Sequence, residues 1–138
     1  MKKKLCSVLV GLLSLLSLGM GKTGENSLVN IPRTEKNFSA TLVDQADLSM
    51  ELERFSFDGQ TFLTGKFGKS DISIDFEKID SVAFLAQANA VKAGVRLKDG
   101  QLIEIMIEKK KACFGASSFA NVRIEVQDIK KVSLRLKQ

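Results

Sequence analysis

From Phe38 onward apolar side chains recur at every second position, and that rhythm suits a strand with one wet face and little else. Phe38, Ala40 and Leu42 alternate with Ser39 and Thr41; Ile72, Ile74 and Phe76 alternate with Asp71, Ser73, Asp75 and Glu77. The same holds for Val91–Leu97, Ile103–Ile107, Val122–Val126 and Val132–Leu136. A helix would need apolar residues three and four apart, so the chain predicts an all-β domain. Nine Phe with no Trp and no Tyr suit a dry interior without polar aromatic tips.

Turn chemistry divides the strands. Asp58-Gly59 and Asp99-Gly100 mark hairpins. At the second, a two-residue loop sets Val95 against Glu104. A three-residue loop, Lys98-Asp99-Gly100 with Gly100 left-handed, sets Val95 against Ile103, Ala93 against Ile105 and Val91 against Ile107. A one-residue slip turns every side chain over, so the apolar match selects the three-residue loop. In Ser49–Phe57 the apolar phase changes between Leu52 and Phe55, which predicts a bulge near Glu53-Arg54. The Ala-rich stretch Ser81–Ala93 reads as a strand over Val82–Ala86, a loop over Gln87–Ala90 and a further strand.

An internal repeat argues for the last of these assignments. Asp71–Phe84 and Asn121–Leu134 align without a gap at an offset of 50. Ile72, Ile74, Phe76, Ile79, Val82 and Phe84 match Val122, Ile124, Val126, Ile129, Val132 and Leu134. Leu42-Val43-Asp44 and Leu97-Lys98-Asp99 are the candidate openings of the two copies. The expected architecture is a small β-sandwich or closed barrel built from two pseudo-repeated halves, about 38–86 and 91–137. Their apolar faces would close on each other.

The N-terminus reads as a secretory signal peptide. Lys2-Lys3-Lys4 precedes a 14-residue apolar run, Leu5–Leu18, followed by the small residues Gly19 and Gly21. A bilayer core takes about 20 residues, so a cleaved signal is expected rather than an anchor, with cleavage after Gly21 or, second, Gly19. Cys6 stands at the start of the run, the wrong end for lipid attachment. A signal-peptide helix over 1–21, a flexible leader over 22–36 and a β domain over 37–138 follow. Processing takes three of the 21 basic residues, leaving 18 against 16 acidic and a net charge of +2. A nucleic-acid partner gains nothing from that charge. Cys113 is then the lone cysteine, so no intrachain disulfide forms.

Leu-x-Asp-Gly at Leu97–Gly100, Phe67-Gly68 leading into Ile72–Val82, and Phe119 leading into Val122–Val132 form one pattern. It resembles an uncharacterised family of small secreted β domains of Gram-negative bacteria. Ala120 stands where that pattern has Gly. The resemblance covers roughly the last 75 residues. It implies an exported β domain and brings no active site to carry over.

The chemistry-bearing residues are few. Without histidine, His-based triads and His-containing zinc sites are excluded. Cys113 has lysines nearby but no partner base in its motif. Asp71, Asp75, Glu77 and Asp80 are expected on a solvated face. Lys109, Lys110, Lys111, Lys130, Lys131, Arg135 and Lys137 are the candidate surface patch, set against the plainer reading of lysines guarding an edge strand. No catalytic, cofactor or metal site is expected. The leading expectation is a periplasmic or secreted non-catalytic module of the cell envelope, binding or assembling with another protein. The alternative is a small-ligand or lipid carrier with an apolar barrel cavity above about 300 Å³. No membrane span is expected after processing.

Overall fold

The computed structural model describes residues 28–136, so the expected signal peptide at 1–21 lies outside the described residues. Residues 28–37 have no strand or helix. This segment touches the domain at several points: Asn121 Nδ2 donates to Val29 O (3.1 Å), Pro32 lies beside Gly59, and Lys36 pairs with Glu77.

Ten strands follow: β1 (Phe38–Asp44), β2 (Ser49–Phe57), β3 (Phe62–Phe67), β4 (Ser70–Asp75), β5 (Ile79–Ala86), β6 (Val91–Leu97), β7 (Leu102–Ile107), β8 (Ala112–Ala116), β9 (Asn121–Glu125) and β10 (Ile129–Leu136). Single 3-10 turns, Phe76–Lys78 and Val126–Asp128, link β4 to β5 and β9 to β10. The alternating residues do what their period requires. In β6, Val91, Ala93 and Val95 are fully buried while Lys92, Gly94 and Arg96 face outward.

All ladders are antiparallel and form one sheet, in the order β4-β3-β7-β6-β5-β10-β1-β2-β8-β9. The all-β fold is therefore a curled half-barrel rather than the two-sheet sandwich or closed barrel expected. Among the described residues its end strands β4 and β9 pair on one side only, so the sheet stays open. The curl comes from two corners where a glycine lets one strand lie on another. A Cβ on Gly65 in β3 would stand 2.7 Å from the Met106 carbonyl oxygen of β7. One on Gly115 in β8 would stand 2.9 Å from Leu52 Cβ of β2. Bare backbone at these points permits the close approach of β3 to β7 and of β8 to β2.

This folding brings β2, β3 and β8 over β5 and β10. Phe57, Leu63, Cys113, Val82, Phe84, Val132 and Leu134 meet in the interior. Phe76 packs edge-on to Phe38 (centroids 5.3 Å) and stacks with Phe55 (5.9 Å). Asp75 Oδ1 accepts from Glu77 N and caps the first 3-10 turn. Each turn delivers a fully buried isoleucine, Ile79 and Ile129, to the start of the next strand.

The registers recur along the chain. In β3–β4, Gly65 faces Ile72; in β8–β9, Gly115 faces Val122. Phe76 N donates to Thr61 O (3.0 Å), as Val126 N does to Lys111 O (2.8 Å). These pairs lie 50 residues apart. A spacing of 53 relates β1–β2 to β6–β7: Asp44 N donates to Leu48 O, and Leu97 N to Gln101 O. Leu42 faces Val132, as Val95 faces Val82.

The expected loop Lys98–Gly100 is present, with Gly100 at φ 98° and Val95, Ala93 and Val91 opposite Ile103, Ile105 and Ile107. The bulge in β2 falls between Glu53 and Ser56, with Arg54 at φ 52°. Asn37 Oδ1 accepts from Arg54 N at 2.8 Å and satisfies the displaced amide. Asp58-Gly59 makes less of a hairpin than expected. Both residues have positive φ, but the turn closes only the Phe57–Gln60 bridge. The bulge bends β2 toward β8, and β3 leaves for β4 and β7.

Candidate functional site

The seven basic residues do not make one free patch. Lys109 donates to Ala88 O (2.9 Å), Lys111 pairs with Asp58 (3.2 Å), and Lys130 pairs with Asp47. Arg135 binds Glu51 (3.0 Å) and donates to Thr41 Oγ1 (3.1 Å), whose hydroxyl in turn donates to Glu51 (2.8 Å). Lys110 and Lys131 are exposed, and Lys137 lies outside the described residues. The reading of lysines as edge guards is corrected for β10. Lys130, Lys131 and Arg135 stand on a strand held between β5 and β1, in the middle of the sheet.

The acidic residues are likewise divided among neighbours. Asp71 pairs with Lys66 (2.8 Å), Asp75 caps the 3-10 turn, and Glu77 pairs with Lys36. Among the described residues no group of three or more His, Cys, Asp or Glu is arranged to hold a metal ion. Cys113 is buried; burial pushes its thiol far above the ordinary range, and the charge of Asp58 adds to the effect. A thiol held protonated is neither a nucleophile nor a ready ligand.

The central apolar space, lined by Phe55, Phe57, Leu63 and Cys113 among others, measures about 10 Å³. Pockets that hold small ligands measure about 300–1,000 Å³, so this interior is filled by side chains. Among the described residues no helix is long and apolar enough to cross a membrane.

Two kinds of binding surface remain. One is the pair of sheet edges. On β4, Ser70, Asp71, Ser73 and Asp75 are exposed between half-buried Ile72 and buried Ile74. On β9, exposed Asn121 and Arg123 alternate with half-buried Val122 and Ile124. The other is a set of open clefts: one of about 740 Å³ beside the bulge of β2, lined by Glu51, Glu53, Arg54, Ala116 and Arg135; one of about 540 Å³ that gathers Lys109, Lys110 and Lys111 with Asp58; and one of about 480 Å³ where β3 leaves β7, lined by Thr64, Ile72, Met106 and Ile107 and by the charged Lys66, Asp71, Glu108 and Lys111. β3 and β7 share one register pair, Lys66 with Met106, whereas β2 and β8 share three. Periodicity did not reveal this cleft.

A family model described as "Uncharacterised protein" matches residues 34–137. An uncharacterized protein of Aquifex aeolicus (strain VF5) is 25% identical over 105 residues, covering 75% of this chain and 80% of that protein. No solved structure matches the chain.

Proposed function

The chain belongs to the family of uncharacterised proteins whose model spans residues 34–137, and from that premise we propose that it is an exported, non-catalytic β module of the cell envelope that binds or assembles with another protein. The observation that carries this reading is the open sheet. Among the described residues β4 and β9 each present one unpaired edge, to which an extended segment of a partner can add as a further strand. Export rests on the sequence: the Lys2–Lys4 head, the apolar run and the small residues at 19 and 21. We also read the domain as two pseudo-repeated halves. Adding five to each strand number of the first half, and subtracting five in the second, turns the sheet order into its own reverse. Each half then lends a hairpin to the other, β3–β4 to β7 and β8–β9 to β2.

The test has two parts. Fractionation of producing cells should recover the chain outside the cytoplasm, beginning at Lys22 or Met20. A photo-crosslinking side chain at Ser73 or Arg123 should trap one envelope protein in intact cells, and the same group at Gln101 should not. Recovery in the cytoplasm with residues 1–21 attached, or edge positions that trap no more than Gln101 does, overturns the reading.

A further inference from the structure

The two corners of the sheet correspond closely up to one residue pair and then part. At one corner Glu53 of β2 faces Ala116 of β8; at the other, Met106 of β7 faces Lys66 of β3. Beyond Glu53 the chain passes through the Arg54 bulge, and Ser56 and Phe57 pair with Phe114 and Cys113. Beyond Met106 only Ile107 remains before the turn that leads into β8. Nine positions separate Glu53 from Phe62, and six separate Met106 from Ala112. The shorter connection supplies no counterpart of Ser56 and Phe57. Thr64 and Leu63, which correspond to Phe114 and Cys113, therefore have no register partner on β7. The 480 Å³ cleft opens at this corner.

The backbone there is oriented for an added strand. Phe67 and Ser70 face each other across the two-residue turn Gly68-Lys69, which makes them a hydrogen-bonded pair. Alternation along β3 then directs the N–H and C=O of Lys66 and Thr64 away from β4. Lys66 meets β7; Thr64 faces the cleft, half-buried. A strand whose N–H and C=O groups point outward can accept a further strand.

We propose that this cleft is a binding site for an extended segment of a partner protein, with a small residue opposite Thr64. The occupant is specified by the protein's own counterpart. Ser56 is fully buried with its hydroxyl unpartnered, so the place calls for small size rather than polarity, and Phe57 beside it is buried in the core. A second copy has no spare strand of this kind among the described residues, because its own Phe55-Ser56-Phe57 is already packed. Residues 28–37, the described segment before β1, pass near Asn121 and Gly59 rather than this corner. The inference rests on the protein-binding reading above and assigns it a site apart from the sheet edges.

The probe is a blocked synthetic peptide with the sequence of residues 53–58, Glu-Arg-Phe-Ser-Phe-Asp, added to the purified, isotope-labelled protein. Saturable amide shift changes are expected at Thr64, Gly65, Met106 and Ile107, with a dissociation constant below about 1 mM. N-methylation of the peptide's serine amide should weaken binding by about tenfold or more. Thr64→Pro should do the same, because it removes the amide that faces the cleft and spares the ladder to β4. Absence of shifts at millimolar peptide, shifts confined to β4 or β9, or an N-methylated peptide that binds equally well overturns the site. So does a dimer that protects the same amides, which assigns the cleft to a second copy. If the peptide fails while Ser73 or Arg123 still traps an envelope protein, the cleft falls and the binding-module reading stands.

Discussion

Val82 of β5 and Val132 of β10 lie directly opposite each other at the centre of the sheet, 50 residues apart in sequence. The flanking pairs, Ser81 with Ser133 and Ala83 with Lys131, exchange places under the same spacing. In the two-half reading proposed above, this ladder is the seam between the halves. Val82 is 3% exposed and Val132 2%, so both side chains enter the same interior.

Truncation at this seam should cost alike on either side. Val82→Ala and Val132→Ala each remove two methyl groups from a filled core and are expected to destabilise by about 1–3 kcal/mol. The double variant should depart from additivity, because the two residues touch. Urea unfolding measures all three. A large cost at one valine with none at the other would contradict their equivalence.

The corner glycines should not tolerate a methyl group. At Gly65 the new Cβ meets a backbone oxygen, and at Gly115 it meets Leu52 Cβ, close to the main chain, so neither neighbour can swing aside. Gly65→Ala and Gly115→Ala are each expected to destabilise by about 1–3 kcal/mol. Gly94 is the contrast: its nearest obstacle is Ala83 O at 3.9 Å, and its φ is not left-handed. Gly94→Ala should be neutral or stabilising by up to about 1 kcal/mol. Melting curves of the three variants check the order.

Stability should fall in alkali through Cys113. Its thiol is raised in the folded chain, chiefly by burial, while the unfolded chain titrates near the ordinary value of about 8.5. Below that pH both states hold the proton, and the stability is fully present. Above it the unfolded state releases the proton and the folded state does not, so stability drops by about 1.4 kcal/mol per pH unit until the folded thiol itself titrates. Urea titrations between pH 7.5 and 10 on the parent and on Cys113→Ala should differ by that slope. In the folded protein a thiol reagent should react only as fast as the chain opens.

The ion pairs of the basic residues should matter little to stability. Lys130→Ala and Arg135→Ala break exposed pairs with Asp47 and Glu51 and are expected to change stability by less than about 1 kcal/mol, less still in high salt. Chemical unfolding at low and high ionic strength checks this. A loss beyond about 2 kcal/mol would mean that these side chains hold the sheet together.

Much of the local structure was legible without coordinates. Val91–Ile107 could be read to its register because only one loop length matches apolar to apolar, and the bulge at Arg54 because Leu52 and Phe55 break phase. The cleft was not legible, since Thr64 is ordinary in a strand and only the absence of a partner across it sets it apart. The basic residues misled for a related reason. Lys130 and Lys131 look like edge guards when β10 is read alone, yet strand order places them at the centre.

The amino-acid sequence alone determined that the chain forms strands, which face of each is apolar, and where the tight turns fall, because these depend on side chains and φ angles within a few residues. Tertiary structure decided which strands are neighbours and that the sheet curls but does not close. It also decided that Ser56 and Phe57 pair with β8 at one corner, while Thr64 and Leu63 lack a register partner on β7 at the other. Those outcomes depend on which glycines allow backbones to touch and on how far each connection reaches, and both are settled only when residues distant in the chain compete for the same space.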